Sequence, residues 1–434
     1  MTIVNKFTGF LKSPDTRSIG IYTFTNFFAK GVSFLLLFVF TNPLYISPGE
    51  NGLLSLFSTS MLFLMPFLSM GIIQSTGADF FKMPKTEFRD FFTTGFAMSI
   101  TVMILAMTGL FLFREQLQQQ YGFPVMFCWL IPLITFLTFC NEQFLGLVRN
   151  NQQPNVYFKA NMYKIFLELG LSFVLVVFCA WRWQGRVAGI LAAYSVVGVY
   201  GYWYLRKMGY LFGRIKREYV YNELVYAVPI IAMQISIFCM GSSDRFFLSG
   251  FTNDNNETVG VYSIAATFAS IIIVLSSALI QYIFPKIYKQ LSSKQPDYMA
   301  IKKLFRLYAG IMLAGALAVM VFTPLAYRYF INEKYHPALS YVFILCAGYF
   351  IWTMVYFFYS FLLYFKEKRR ILLLSVCCIV VSIGFNYFLT AQWGARGAAM
   401  ANVCTYSTAL IFTLLFTRKY WRQFFKSTDP VIQD

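Results

Sequence analysis

The chain has 434 residues, of which 58% are hydrophobic, 20% aromatic and only 12% charged. A soluble domain carries about 25% charged residues, so a water-soluble fold has no surface to match this composition. The net charge of +18 does not point to nucleic acid. The basic residues sit in short segments between apolar runs, where they set membrane orientation and attract anionic lipid.

Runs of roughly 20 apolar residues match the length of a helix that spans hydrocarbon, and such a segment must satisfy its own backbone there. The alternation of a membrane barrel is absent. The runs predict an all-α polytopic protein with about 12 transmembrane helices. They fall at 19–41, 53–77, 91–113, 124–148, 158–181, 186–205, 224–250, 260–285, 304–326, 337–364, 371–390 and 395–417. With the N-terminus inside, 27 of the 36 Lys and Arg fall in inner segments and 6 in outer loops. That asymmetry predicts a multi-pass protein with both termini cytoplasmic. The first apolar run is too long for a cleavable signal and lacks a small-residue cleavage site.

Ionisable residues inside spans each cost roughly 2.5–3.5 kcal/mol at the bilayer centre on insertion scales, so they mark partners or wet cavities. Lys30 lies mid-way along the first span and shares a helical face with Asn26 and Thr23. The fifth span carries a polar stripe of Asn161, Lys164, Glu168 and Ser172. Lys164 can pair with Glu168 within that helix, or with Glu142 of the fourth span, which lies at matching depth. The seventh span carries Asp244 and Arg245 near its outer end, as an interfacial pair or a gate. The eighth span has a stripe of Ser263, Thr267, Ser270, Ser277 and Gln281, consistent with a wetted face. Pro66, Pro132 and Pro229 lie within spans and can kink them.

Enzyme motifs are missing: there is no P-loop, HExxH, dinucleotide fingerprint or nucleophile elbow. His336 is the sole histidine and reads as a helix-start residue. All eight cysteines fall in apolar runs without metal-ligand spacing, as packing residues. No cofactor or metal is called for. The sixth span opens with Gly185 and Gly189, and the twelfth with Gly394 and Gly397. This spacing divides the chain into six-helix halves, 1–210 and 211–434, as parallel repeats. Small residues there let helices pack closely.

The block of Asp244, Arg245 and Leu248, followed by Val259, Gly260, Tyr262, Ser263 and Ala265 and then Phe284, Pro285 and Tyr288, resembles polysaccharide flippases of the multidrug/oligosaccharidyl-lipid/polysaccharide exporter superfamily. Leu147 and Arg149 followed by Tyr157 fit the same pattern. Asp79 departs from it, because relatives often carry arginine there. The resemblance implies two six-helix halves around a central cleft. It also implies translocation of undecaprenyl-pyrophosphate-linked oligosaccharide across a bacterial cytoplasmic membrane by alternating access, alongside polysaccharide-assembly proteins. Under that reading Lys30, Asn26, Lys164 and Arg245 meet the substrate, and Glu142, Glu168 and Asp244 couple or gate, with H+ or Na+ as the coupling ion. The alternative is a cation-coupled multidrug or metabolite exporter of the same superfamily.

Overall fold

The computed structural model describes residues 28, 31, 32, 34, 36–293 and 297–426, with side chains described to residue 422. Fifteen α-helices and no strand occur among these residues. They are α1 (Pro48–Ser69), α2 (Ile72–Asp79), α3 (Lys85–Leu112), α4 (Arg114–Tyr121), α5 (Phe127–Asn150), α6 (Pro154–Phe173), α7 (Arg182–Lys207), α8 (Arg217–Gly241), α9 (Asp244–Phe251), α10 (Glu257–Ala269), α11 (Ile271–Leu291), α12 (Tyr298–Phe330), α13 (Leu339–Tyr364), α14 (Lys368–Phe416) and α15 (Arg418–Lys426).

Ten helical stretches among the described residues are long and apolar enough to cross a membrane. The 49-residue α14 is really two helices, because Gly394 breaks it with φ 56° and ψ −132°. Unbroken, it would run roughly 74 Å at 1.5 Å per residue, more than twice the hydrocarbon thickness of about 30 Å. The break matches the expected boundary between the last two spans. The first expected span, with Thr23, Asn26 and Lys30, lies outside the described residues apart from its second part. The chain is a multi-pass membrane protein.

Two compact units form. Unit 1 holds the residues up to Glu50 together with Phe57–Ile231; unit 2 holds Asn51–Leu56 and Ala232–Asp434. The boundary therefore lies within α8, about twenty residues beyond the division at 210 expected from the repeat. The connection before α8 explains the difference. Gly213 N donates to Thr93 Oγ1 at 2.9 Å and Arg214 N to Asp90 Oδ1 at 2.8 Å. Lys216 Nζ pairs with Asp90 Oδ2 at 2.9 Å, and Tyr210 packs into the Phe88, Phe92 and Phe144 core. Backbone polar groups that leave a helix need such partners, and here α3 supplies them.

In unit 1, α1 starts on a reciprocal cap. Ser47 N donates to Glu50 Oε2 at 2.8 Å, and Glu50 N to Ser47 Oγ at 3.3 Å. It ends where Met70 and Gly71 take left-handed φ of 43° and 73°, which redirects the chain into α2. A Cβ at Gly71 would come within 2.8 Å of Ile230 Cδ1. α6 loosens into a π-helical turn at Val174–Phe178 before α7. The α6–α7 contact is tight: a Cβ on Gly189 would lie 2.2 Å from Ser172 Oγ and 3.0 Å from the Glu168 carbonyl oxygen. Without a hydrophobic drive inside lipid, close backbone approach is what joins such helices. In unit 2 a Cβ on Gly397 would lie 1.8 Å from the Leu389 carbonyl oxygen. Both glycine openings therefore serve the close contact that their sequence suggested.

Candidate functional site

In unit 1 the costly charges gather where α5, α6 and α7 meet. Lys164, Glu168 and Ser172 stand one turn apart on α6 and face α7. Glu168 does not take Lys164 as its partner. Arg186 Nη2 pairs with Glu168 Oε1 at 2.9 Å, and Arg186 Nη1 donates to Ser172 Oγ at 3.0 Å. Arg186 also lies 5.8 Å from the Phe40 ring centroid. The sequence places Arg186 at the outer edge of the sixth span, counted with the outer loop. The helical reach of α7 instead brings it one turn inside, because the tight crossing at Gly189 draws that end of α7 onto α6.

Lys164 is left with a different environment. Its Nζ sits 5.2 Å from the Tyr194 ring centroid, a cation–π geometry. Among the described residues no carboxylate comes within 4 Å of it, although Glu142 and Glu168 act on it electrostatically from further away. The expected direct pairs of Lys164 with Glu142 or Glu168 are thus not formed. Glu142 is exposed and makes no ion pair among the described residues. Its neighbours Asn141 and Gln143 are each only 1% exposed. Both amide atoms of Asn141, and Nε2 of Gln143, lack a hydrogen-bond partner among the described residues. Buried amides are otherwise satisfied by protein or water, so this part of α5 is polar beyond what its sequence neighbours use.

A further carboxylate escaped the sequence reading. Glu223, 5% exposed, lies within the first two turns of α8 and has Ser75 Oγ at 3.0 Å from its Oε2. The expected span began at 224, which left Glu223 counted as a loop residue.

In unit 2, Asp244 and Arg245 do not continue the seventh span. That helix ends at Gly241, and Asp244 opens the short α9. Asp244 is 1% exposed, and four bonds fill its carboxylate. Oδ1 accepts from Arg245 N at 2.9 Å and Arg245 Nη1 at 3.1 Å. Oδ2 accepts from Tyr262 Oη on α10 and from Asn402 Nδ2 on α14 at 2.8 Å. Arg245 Nη1 also reaches the Gly241 carbonyl at 3.4 Å. One acid therefore ties α9, α10 and the second part of α14. Asn402 thus supplies an interhelical bond.

The hydroxyl stripe on α10 and α11 is largely satisfied within its own helices. Ser263 donates to the Val259 carbonyl at 2.7 Å, Thr267 to Ser263 at 2.8 Å and Ser277 to Val274 at 2.7 Å. His336 sits in the short 3-10 turn Glu333–Ala338, with Nε2 3.2 Å from the Tyr327 carbonyl oxygen. A small open cavity lies within unit 2, lined in part by Met233, Ser236, Trp352, Tyr356, Tyr359 and Ser375. Its wall is aromatic and apolar, with serine hydroxyls set into it. Among the described residues no cluster of His, Cys, Asp and Glu could hold a metal ion.

Comparison with known proteins agrees with these features. Residues 16–290 match the family described as polysaccharide biosynthesis protein. No curated protein matches. Several solved structures share the fold. An inward-facing multidrug resistance MATE transporter of the MOP superfamily superposes with a TM-score of 0.66 at 15% identity, over 91% of this chain and 96% of that one. An outward-facing multidrug resistance MATE transporter of the MOP superfamily gives 0.56 at 16% identity, over 96% and 98%. A Vibrio cholerae MATE transporter, VcmN, gives 0.57 at 15% identity, over 95% and 99%. With more than half of its length matched, the chain belongs to the polysaccharide biosynthesis protein family, on the fold shared by MATE transporters of the MOP superfamily.

Proposed function

We propose that the protein is a flippase, not an enzyme. It carries undecaprenyl-pyrophosphate-linked oligosaccharide repeat units from the cytoplasmic to the outer leaflet of a bacterial cytoplasmic membrane. The physical problem is to bring a dianionic head group through hydrocarbon, which requires fixed cations within the spans. The observation that carries the reading is Lys164. It lies within a span, steadied by the Tyr194 face, and its charge is not consumed by a direct ion pair. Glu168 is committed to Arg186, which leaves Lys164 to meet a phosphate. Lys30 and Asn26 of the first span are proposed to share that role, and Arg245 to serve it in unit 2. The aromatic and hydroxyl wall of the unit 2 cavity suits sugar rings or hydrocarbon. Glu142 is the carboxylate best placed to carry a coupling H+ or Na+. Both termini are proposed to be cytoplasmic, and the halves to alternate access. The test is complementation of a strain lacking its own flippase. Lys164→Gln should abolish surface polysaccharide while the protein stays at wild-type level in the membrane. Normal polysaccharide would remove Lys164 from the substrate path.

A second reading, a cation-coupled multidrug or metabolite exporter, is favoured by one feature: the exposed, ion-pair-free Glu142 inside a span would suit a cationic cargo. Drug resistance conferred by the wild type and lost in Glu142→Gln, without any effect on polysaccharide, would select it.

A further inference from the structure

At one end of the helix pair α11–α12 in unit 2 lies an open cleft. The last turns of α11 contribute Lys286, Lys289 and Gln290, and the first turns of α12 contribute Ala300, Lys303, Leu304 and Leu307. The lining contains no carboxylate. Three exposed lysines elsewhere do take acidic partners: Lys82 with Asp79, Lys216 with Asp90 and Lys419 with Glu367. Here Lys289 and Lys303 make no ion pair among the described residues, and Lys286 only donates to Tyr282 Oη and covers its ring, 3.7 Å from the centroid. The nearest cap acid, Asp297, is occupied by the Ala300 N–H at 2.9 Å.

The other half of the cleft is apolar, lined by Ala300, Leu304 and Leu307, and neighbouring apolar side chains are open to the surroundings. Leu307 is 52% exposed and Tyr282 58%, and only 17% of the apolar window of α12 is buried within the protein. Three ammonium groups thus line a cleft whose other half is apolar. Setting orientation requires basic charge near a span end, but not three lysines lining one cleft together with leucines.

We propose that this cleft binds an anionic membrane lipid. Its phosphate would lie between Lys286, Lys289 and Lys303, and its chain along Leu304 and Leu307. Lysine is a strong phosphate binder as a point charge. Each lysine near an anionic headgroup raises affinity about fivefold, so three together contribute on the order of a hundredfold.

The experiment measures lipid binding to the purified full-length protein by native mass spectrometry and by thermal stabilisation. The probes are phosphatidylglycerol, phosphatidylcholine and inorganic pyrophosphate. Phosphatidylglycerol should bind and stabilise well below the phosphatidylcholine concentration. The Lys286→Gln, Lys289→Gln, Lys303→Gln triple variant should lose about a hundredfold in apparent affinity, and each single variant about fivefold. The triple Lys→Arg variant should retain binding, which separates lost charge from lost fold. Equal binding of both lipids, equal binding by wild type and the folded Gln triple, or loss in the Arg triple would overturn the proposal. If pyrophosphate displaces phosphatidylglycerol at equal concentration, the site reads free phosphate and the assigned lipid chain is refuted.

Discussion

Replacing Asp244 by asparagine should loosen unit 2 rather than only silence transport. The native carboxylate accepts four hydrogen bonds, two from Arg245 and one each from Tyr262 and Asn402. An asparagine of the same shape keeps one acceptor oxygen and turns an NH2 group toward two donors. About two charge-assisted bonds are lost, each worth roughly 1.5–3 kcal/mol. The Arg245 charge also loses its counter-ion, and breaking a buried pair from one side costs about 3–5 kcal/mol. These are overlapping views of one loss, so the expected cost is about 3–5 kcal/mol in total. At roughly 2–4 °C per kcal/mol for a unit of about 200 residues, apparent melting should fall by on the order of 10 °C. The assay is thermal unfolding in detergent with a thiol-reactive dye, because Cys346 and Cys378 are buried and free and react once unit 2 opens. Asn402→Ala should follow in the same direction with a smaller shift. A folded Asp244→Asn protein that melts within 2 °C of wild type yet exports nothing would refute the structural role. It would return Asp244 to the coupling or gating role expected from its sequence.

Three further outcomes are expected. Gly189→Ala should destabilise unit 1 by about 1–3 kcal/mol through overpacking, since its Cβ would meet Ser172 Oγ at 2.2 Å; melting unchanged from wild type would show that the crossing has slack. Glu168→Gln and Arg186→Gln should each lower membrane levels, and exchanging the two charges should restore them. Restoration by exchanging Glu168 with Lys164 instead would contradict the observed pairing. Glu367 sits outside the spans, and its carboxyl is held below the ordinary value first by Lys419 and then by Tyr420. A depressed carboxyl stabilises above its unfolded pKa and loses that contribution as pH falls through the folded value. Protection of α15 against hydrogen exchange should therefore hold near neutrality and weaken below about pH 4.5. Protection that instead weakens as pH rises would contradict the sign.

Most of the fold was legible because lipid imposes a strong rule. Backbone groups must be satisfied within each span, so apolar length alone marks helices such as α3 and α8. The glycine openings were legible for a similar reason, since Gly189 and Gly397 each occupy a place that no side chain fits. The site was less legible. Glu168 had a candidate partner, Lys164, on its own helix, but its true partner, Arg186, depends on how closely α7 crosses α6. Glu223 was hidden because the expected span began at 224, seven residues after the helix itself begins at Arg217. Asp244 stood out as a costly charge, yet two of its four donors lie 18 and 158 residues away in sequence. Pair spacing along one helix cannot reveal such tertiary partners. The connection before α8 is of the same kind: hydrogen bonds from residues 213–216 back to α3, not hydropathy, tie it to unit 1.

The most direct test of the central claim is translocation by purified protein in liposomes, with a fluorescent oligosaccharide on undecaprenyl pyrophosphate as substrate. Wild-type protein should expose the label to an external quencher. Lys164→Gln, folded and inserted to the same extent, should not. Equal translocation by both would contradict the assignment of Lys164, and none by the wild type under an imposed H+ or Na+ gradient would contradict the flippase itself.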